Sequence, residues 1–209
     1  MSNFLKNENN YMPIIIATPD ARAVATTIKI LIEAAYEAKK TPLLLVLTQS
    51  ALMNARQAGF EKLKEYFSKN PRGFIVDSDI EIISASKNLL YYIKKADKEN
   101  CSFVSGYYTL QGITDIMLHY PSTVKPEEYI KIKDWEKIDV AGLGFYYGEL
   151  PLSYKFKYDA QPDNKTGMGE DFYFFKDNKF NVKLAKNISL GHIKPASLII
   201  PGNKIEELK

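Results

Sequence analysis

Two short acidic motifs have residue types that can carry chemistry, and the first is Asp77-Ser78-Asp79. It follows Phe74–Val76, an apolar run that predicts a buried strand. Where a strand gives way to a loop, both carboxylates can point toward one ion. Carboxylate oxygens are hard ligands, which Mg²⁺ and Mn²⁺ take together with phosphates. The structural alternative is that Asp79 caps a following helix while Asp77 is a solvated turn residue.

The second acidic motif is Glu170-Asp171, which follows Gly167-Met168-Gly169. The glycines permit a close approach of the backbone, and the carboxylate pair opens a predicted helix over Glu170–Lys176. The helix dipole stabilises a carboxylate at this end, which accounts for the pair structurally. The same dipole would keep a carboxylate ionised and able to act as a base.

His192 is the remaining candidate, since the chain has only two histidines and a histidine-rich metal site is therefore excluded. Between apolar neighbours after a predicted strand, a lone histidine is more often a hydrogen-bonded core residue. Arginine is also scarce, because only Arg22, Arg56 and Arg72 occur among the 28 basic residues. Where lysine is the default, an arginine can mark a place that needs a planar, two-pronged donor.

The elements that would position these residues alternate strand and helix in the first 80 residues. The apolar periods predict strands at Met12–Ala17, Leu43–Thr48 and Phe74–Val76, with a helix between each pair. Val24 to Ala35 and Met53 to Phe67 mark the inward faces of the two helices, which Asp20 and Ser50 can cap. This order predicts parallel strands, and in such sheets ligands bind beyond the carboxyl ends of the strands.

The second half of the chain predicts shorter elements and one domain over residues 11–200, with flexible ends at 1–10 and 201–209. The loop at Ser153–Gly169 has the length of a functional or mobile segment. The expected elements are a helix at Ile80–Lys95 and strands at Ser102–Tyr107, Ile113–His119, Ile138–Tyr146 and Asn181–Ala185.

Composition excludes several classes of protein. The net charge of +3 is too small for a nucleic-acid-binding face, and the single cysteine, Cys101, excludes a disulfide framework or a multi-cysteine zinc site. The longest apolar runs fall far short of the roughly 20 residues that a membrane span needs. The polar N-terminus does not resemble a signal peptide. We therefore expect a cytoplasmic protein without a membrane span.

Taken together, the motifs resemble those of GT-A glycosyltransferases, especially the large inverting family that uses nucleotide sugars. The resemblance runs from Met12 to Pro195 and implies a single α/β domain of GT-A type. Such a domain has a Rossmann-like βαβ half and a mixed central sheet flanked by helices. The short chain is similar to small enzymes of this type from archaeal viruses. The motifs occur in the family's order: Thr18-Pro19, Asn54-Ala55-Arg56, Asp77-Ser78-Asp79, Val140–Phe145, Gly169–Phe174 and Gly191-His192.

The resemblance implies roles for single residues around a nucleotide-sugar donor and a divalent metal, Mn²⁺ or Mg²⁺. Asp79 would ligate the metal, Asp77 would contact the ribose or the metal through water, and His192 would be a further ligand. Asp171 would be the catalytic base, and Glu170 would hold hydroxyls of an acceptor of unknown identity. The nucleotide would lie against the remaining motif residues, which are Thr18, Pro19, Asp20, Arg22 and Ser78.

Arg56 shares a helix face with Met53 and Phe60, so it is expected to point inward and to need an anionic partner. The donor's diphosphate and an internal carboxylate are both open as that partner. The aromatic residues that could present a flat face to a sugar, with ordinary packing as the alternative, are Tyr120, Trp135, Tyr146 and Tyr147.

The implied activity is transfer of a sugar to an acceptor hydroxyl with inversion, the loop at Ser153–Gly169 closing over both substrates. Two other readings remain open. A sugar nucleotidyltransferase would need a glycine-rich phosphate loop, and Ala17–Ala21 has no glycine. A domain of the same fold that binds nucleotide sugar without turnover is the second.

Overall fold

The computed structural model describes residues 5–18, 25–49, 51–105, 116–117, 123–124, 131–157 and 169–192. The helices in these ranges are α1 (Ala25–Glu37), α2 (Leu52–Leu63), α3 (Ser86–Glu99) and α4 (Glu170–Asn178). The strands of the first half are β1 (Tyr11–Thr18), β2 (Thr41–Thr48), β3 (Arg72–Asp77), β4 (Ile80–Ile82) and β5 (Ser102–Ser105). Those of the second half are β6 (Ile116–Met117), β7 (Thr123–Val124), β8 (Lys137–Ile138), β9 (Phe145–Glu149), β10 (Val182–Ala185) and β11 (Leu190–His192).

The central sheet has seven strands in the order β2-β1-β3-β9-β5-β10-β8. β1 pairs in parallel with β2 and β3, and β5 with β10, whereas β9 runs antiparallel between β3 and β5. The expectation of a single α/β domain with a mixed sheet flanked by helices is confirmed. The parallel β1–β3 pair sets Ala17 beside Asp77, so the carboxyl ends of both strands meet at one edge.

Helices cover both faces of this sheet, which explains why β1 is a continuous apolar run. Ile14 and Ile16 belong to a core cluster under α1 and α3, while Ile15 belongs to a second cluster under α2 and α4. A strand buried on both faces reads as uninterrupted hydrophobic sequence rather than an alternating one. No helix in the described part of the chain is long and apolar enough to cross a membrane.

The predicted helix at Ile80–Lys95 is wrong in its first third. Ile80–Ile82 forms β4, which pairs antiparallel with β11, and α3 begins only at Ser86. Ile80 and Ile82 are buried on either side of the half-buried Glu81, a period of two that is typical of a strand. Asp79 therefore does not cap a helix, which contradicts the capping role that the structural alternative gave it.

The predicted strand at Ile138–Tyr146 is also wrong, because the structure has two short strands there, β8 and β9. Residues 139–144 between them form no strand, and Leu143-Gly144 is a turn. β9 extends to Glu149 instead, with Gly148 opposite Gly73 of β3. The strands predicted from Ser102 and from Asn181 agree with β5 and β10 to within two residues over their described parts.

Candidate active site

Arg56 of α2 joins the two acidic motifs in one hydrogen-bond network. Its Nη2 donates to both carboxylate oxygens of Asp77, at 2.7 and 2.9 Å. Its Nη1 donates to Oε1 of Glu170 at 2.7 Å and to Oδ1 of Asp171 at 3.0 Å. The end of β3 and the first turn of α4 thus meet at one guanidinium, although they are far apart in the chain.

Backbone hydrogen bonds hold the Asp77–Asp79 turn at the end of β3. The N–H of Asp77 donates to the carbonyl of Gly144 at 3.0 Å, and the N–H of Ser78 donates to that of Ala17 at 2.9 Å. These contacts tie the turn to β1 on one side and to the start of β9 on the other. The first carboxylate of the motif is therefore presented from a rigid part of the sheet.

The helices α2 and α4 present the other members of the network. Arg56 lies on the buried face of α2, beside Ala55 and Phe60. Gly169 is extended at the N-terminus of α4, so that Glu170 and Asp171 fall in the first helical turn. Carboxylates in this position interact favourably with the helix dipole.

The single positive charge of Arg56 faces three carboxylates, so the network has a net negative charge when all three are ionised. The Arg56 side chain is 2% exposed, and those of Asp77, Glu170 and Asp171 are 12%, 21% and 34% exposed. Burial would lower the pKa of Arg56, but the three carboxylates raise it above its ordinary value, so the guanidinium stays charged. The network is therefore accessible to solvent from the carboxylate side and closed on the arginine side.

Burial shifts two of the carboxylates toward their protonated forms. It raises the pKa of Asp77 to about 6, against the opposing effect of Arg56, and Asp171 adds to the rise by repulsion. Burial also raises the pKa of Asp171, again opposed by Arg56. A carboxyl group with a raised pKa is a stronger base when ionised, which suits proton abstraction near neutral pH.

Arg56 has one polar atom without a partner. Its buried Nε finds no acceptor within hydrogen-bond distance in the structure as far as it is described. Of the two partners left open by the sequence, the internal carboxylates are the ones observed.

The pairing of β4 with β11 brings the backbone of His192 next to the acidic turn. His192 is opposite Ile80, the residue that follows Asp79, and Gly191 is opposite Glu81. The side chain of His192 lies outside the described structure. Its place in a strand differs from the expectation that it comes after one.

Several other predicted site residues lie outside the described ranges, namely Pro19, Asp20 and Arg22. So do residues 158–168 of the predicted closing loop, and Tyr120. Thr18 is described and is buried at the end of β1, where its carbonyl accepts the N–H of Gln49.

The described aromatic candidates pack within the protein. Tyr146 and Tyr147 are buried in β9, and the Tyr146 hydroxyl donates to the carbonyl of Glu149. Trp135 stacks on Tyr92 at 5.5 Å between ring centroids, and Lys95 lies 4.7 Å from the Trp135 ring centre. Ordinary packing therefore accounts for these three.

The acidic turn supplies only part of the ligand set that a divalent cation requires. In the described part of the chain, no three or more His, Cys, Asp or Glu side chains form a group that could hold a metal ion. Both oxygens of Asp77 are also engaged by Arg56. Asp79, with His192 placed beside the turn by its backbone, supplies ligand types that suit Mn²⁺ or Mg²⁺. A divalent metal held by these two residues would have to take its remaining ligands from phosphate oxygens and water.

Sequence reasoning missed that one residue would join both acidic motifs. The signal available was the inward position of a scarce arginine, which indicated an anionic partner but not its identity. It also missed the buried Thr27, which contacts β4 and carries no motif.

Comparison with known proteins finds similarity in structure only. No protein-family model matches the chain, and no curated protein matches it. The crystal structure of A197 from STIV, a viral protein, superposes with a TM-score of 0.54 and 17% sequence identity. The match covers 88% of this chain and 86% of A197. At this level of identity the similarity establishes a shared fold.

Proposed function

We propose that this protein is a metal-dependent glycosyltransferase of GT-A type, which moves a sugar from a nucleotide-sugar donor to an acceptor hydroxyl with inversion. The observation that carries the proposal is the Arg56 network. It connects Asp77 of the acidic turn to Glu170-Asp171 of α4 through hydrogen bonds of 2.7 to 3.0 Å. These are the two motifs to which the resemblance assigns the donor and the base.

The donor would bind at the edge where β1 and β3 end. Ligands of open α/β sheets bind beyond the carboxyl ends of the strands, and Ala17 lies beside Asp77 there. Asp79 and His192 would hold Mn²⁺ or Mg²⁺, which neutralises charge on the departing diphosphate when it is bound. The nucleotide would contact the residues at the end of β1 and in the turn, Thr18, Pro19, Asp20, Arg22 and Ser78.

Asp171 would take the proton of the acceptor hydroxyl. The new bond forms between the acceptor oxygen and the anomeric carbon as the bond to the diphosphate breaks, and the nucleoside diphosphate leaves with the electron pair. Asp171 is one-third exposed, so an acceptor can reach it, and Glu170 lies beside it to bind further hydroxyls. A positioned base of this kind contributes about 10²–10⁴-fold in rate.

Arg56 would act on the donor through Asp77 rather than by direct contact. Both of its Nη atoms are engaged by carboxylates, and its side chain is almost completely buried. The guanidinium would hold the ribose-facing carboxylate and the base at a constant separation. This role replaces the contact with the diphosphate that was open from the sequence.

Similarity to A197, a viral protein, supports the further proposal that the chain is of viral origin. We also propose that it acts in the cytoplasm of a host cell.

The test is a screen of nucleotide sugars with Mn²⁺, which measures released nucleoside diphosphate and glycosylated acceptor. We expect Asp171→Asn to retain donor binding and to lower transfer at least about 10²-fold. Asp79→Ala should lose metal-dependent donor binding. Glu65→Gln, which removes a 56% exposed carboxylate paired with Lys62, is the control and should transfer at the parental rate.

Equal transfer by Asp171→Asn and the parent would refute the assignment of the base. Stabilisation by a metal and nucleotide without product from any donor would indicate a binding domain without turnover. Release of pyrophosphate from a nucleoside triphosphate and a sugar phosphate would indicate a nucleotidyltransferase instead.

A further inference from the structure

The hydroxyl of Thr27 bridges helix α1 to strand β4. Its Oγ1 donates to the carbonyl of Ile80 at 2.7 Å and accepts the N–H of Ile82 at 2.9 Å. The side chain is buried, 2% exposed, and its partners are more than 50 residues away in the chain. One hydroxyl thus satisfies a donor and an acceptor of the same strand.

This contact takes the place of a neighbouring strand. β4 has three residues, and one of its edges pairs with β11. On the other edge Thr27 bonds Ile80 and Ile82 as a strand partner would. Both isoleucines are almost fully buried, so without Thr27 their backbone groups would lose partners in a place closed to water.

Thr27 therefore holds the far end of the acidic turn. The near end is tied by the N–H groups of Asp77 and Ser78 to Gly144 and Ala17. Ile80 follows Asp79 directly, and His192 is opposite Ile80 in the β4–β11 pair. A displacement of β4 would move Asp79 and the backbone of His192 together.

We infer that Thr27 is a positioning residue of the donor site. By holding β4 against α1, it keeps the Asp77–Asp79 turn and strand β11 in the position that donor binding needs. The two hydrogen bonds show that Thr27 holds β4. The expected effect on donor binding rests on the proposed function. α1 follows the segment after Thr18 to which nucleotide contacts are assigned. Thr27 itself links α1 to the end of the turn through its two hydrogen bonds.

The test compares Thr27→Ser with Thr27→Ala, because both delete the methyl group and only the first retains the hydroxyl. Thr26→Ala is the control, since Thr26 is the exposed neighbour in the same helical turn. Amide hydrogen exchange is measured over residues 78–82 and 190–192. In parallel, the KM for the donor and kcat are measured, with binding of UDP and GDP in the presence of Mn²⁺.

We expect Thr27→Ala to exchange the Ile82 amide about tenfold faster, as for the loss of one hydrogen bond. The donor KM should rise about tenfold or more, with a smaller change in kcat, because small displacements of positioned groups are costly. Thr27→Ser should recover both values, and Thr26→Ala should leave both unchanged.

Parental exchange in Thr27→Ala would overturn the inference, as would faster exchange spread evenly over the whole chain with no recovery by serine. An unchanged donor KM in an active enzyme would also overturn it. If the parent neither binds nucleotide nor transfers sugar, the proposed function and the donor role of Thr27 both fail. The local exchange result would still decide separately whether the hydroxyl holds the turn. Should Thr27→Ala not fold, Thr27→Val makes the same comparison without a cavity.

Discussion

Arg56 is the residue on which the candidate site depends most. Its planar guanidinium donates from two nitrogens to three carboxylates, two of them next to each other in α4. A lysine carries a single ammonium and cannot make this two-pronged contact. The chain has arginine at only three positions, and at this one the contacts use the planar, two-pronged geometry that lysine lacks.

We expect Arg56→Met to lower the free energy of unfolding by about 3–5 kcal/mol, because it leaves buried carboxylates without a counter-charge. Arg56→Lys should lose less, since it retains the charge but not the fork. The measurement is urea denaturation at neutral pH. Arg72→Met is the control, as Arg72 pairs with the 40% exposed Asp97 away from the network. A loss at Arg72 as large as at Arg56 would contradict the assigned importance of the buried network.

The raised pKa of Asp77 makes the free energy of unfolding depend on pH. Burial raises its pKa from 3.8 to about 6, so between these values the folded protein holds a proton that the unfolded chain has released. The free energy of unfolding should therefore fall as pH rises through this window. The pKa of Asp171 is also raised, so this carboxyl group contributes in the same direction.

Asp77→Asn removes the titrating group, and its stability should decline less than that of the parent over the same window. Urea denaturation in steps from about pH 4 to about pH 7 measures the two slopes. Equal slopes in the two proteins, or a parent that becomes more stable across the window, would show that Asp77 does not titrate as described.

At the scale of the elements, two glycines let strands approach each other closely, β3 against β1 and β9 against β5. A Cβ at Gly73 would lie 2.3 Å from the carbonyl oxygen of Pro13 in β1, and one at Gly148 would lie 2.0 Å from Oγ of Ser102 in β5. Gly73 and Gly148 are opposite each other in the β3–β9 pair. Since β3 carries Asp77 at its other end, its seating against β1 and β9 sets the position of the acidic turn.

Gly73→Ala is expected to destabilise the protein by about 1–3 kcal/mol, because the clash is with backbone and a strand must shift to relieve it. Gly191→Ala is the matched control, since a Cβ there meets its nearest neighbours at 3.6 Å. The control should stay within about 0.5 kcal/mol of the parent in thermal or urea denaturation. Equal stability of Gly73→Ala and the parent would mean that β1 and β3 are less closely seated than the contact indicates.

The elements also show where local pattern was sufficient. β1, α1, β2 and α2 were predictable because each has a long apolar period. β3 was predicted from the shorter apolar run Phe74–Val76, because Pro71 ends the helix before it and the polar Asp77-Ser78-Asp79 follows it. β4 was not, because three residues with a period of two are too short to separate from the start of a helix. What makes them a strand is their long-range partners, β11 and Thr27.

For the whole molecule, the mixed sheet creates the candidate site. The antiparallel β9 lies between β3 and β5, and its first residues adjoin the acidic turn through Gly144. α4 packs on the same face as α2, so that its N-terminus meets Arg56. The fold shared with A197 includes most of both chains at 17% identity, so the functional proposal depends on these side chains rather than on the similarity.

The amino-acid sequence by itself determined the alternation of strands and helices in the first half, the position of Asp77 at a strand end and the inward direction of Arg56. These follow from periodicity, which is a property of neighbouring residues. Only the tertiary structure decided which anion Arg56 meets and that β11 brings the backbone of His192 beside the acidic turn. The contacts of Arg56 with Glu170 and Asp171, and the pairing of His192 with Ile80, join residues more than 100 positions apart. They depend on the order of strands in the sheet, which no local pattern contains.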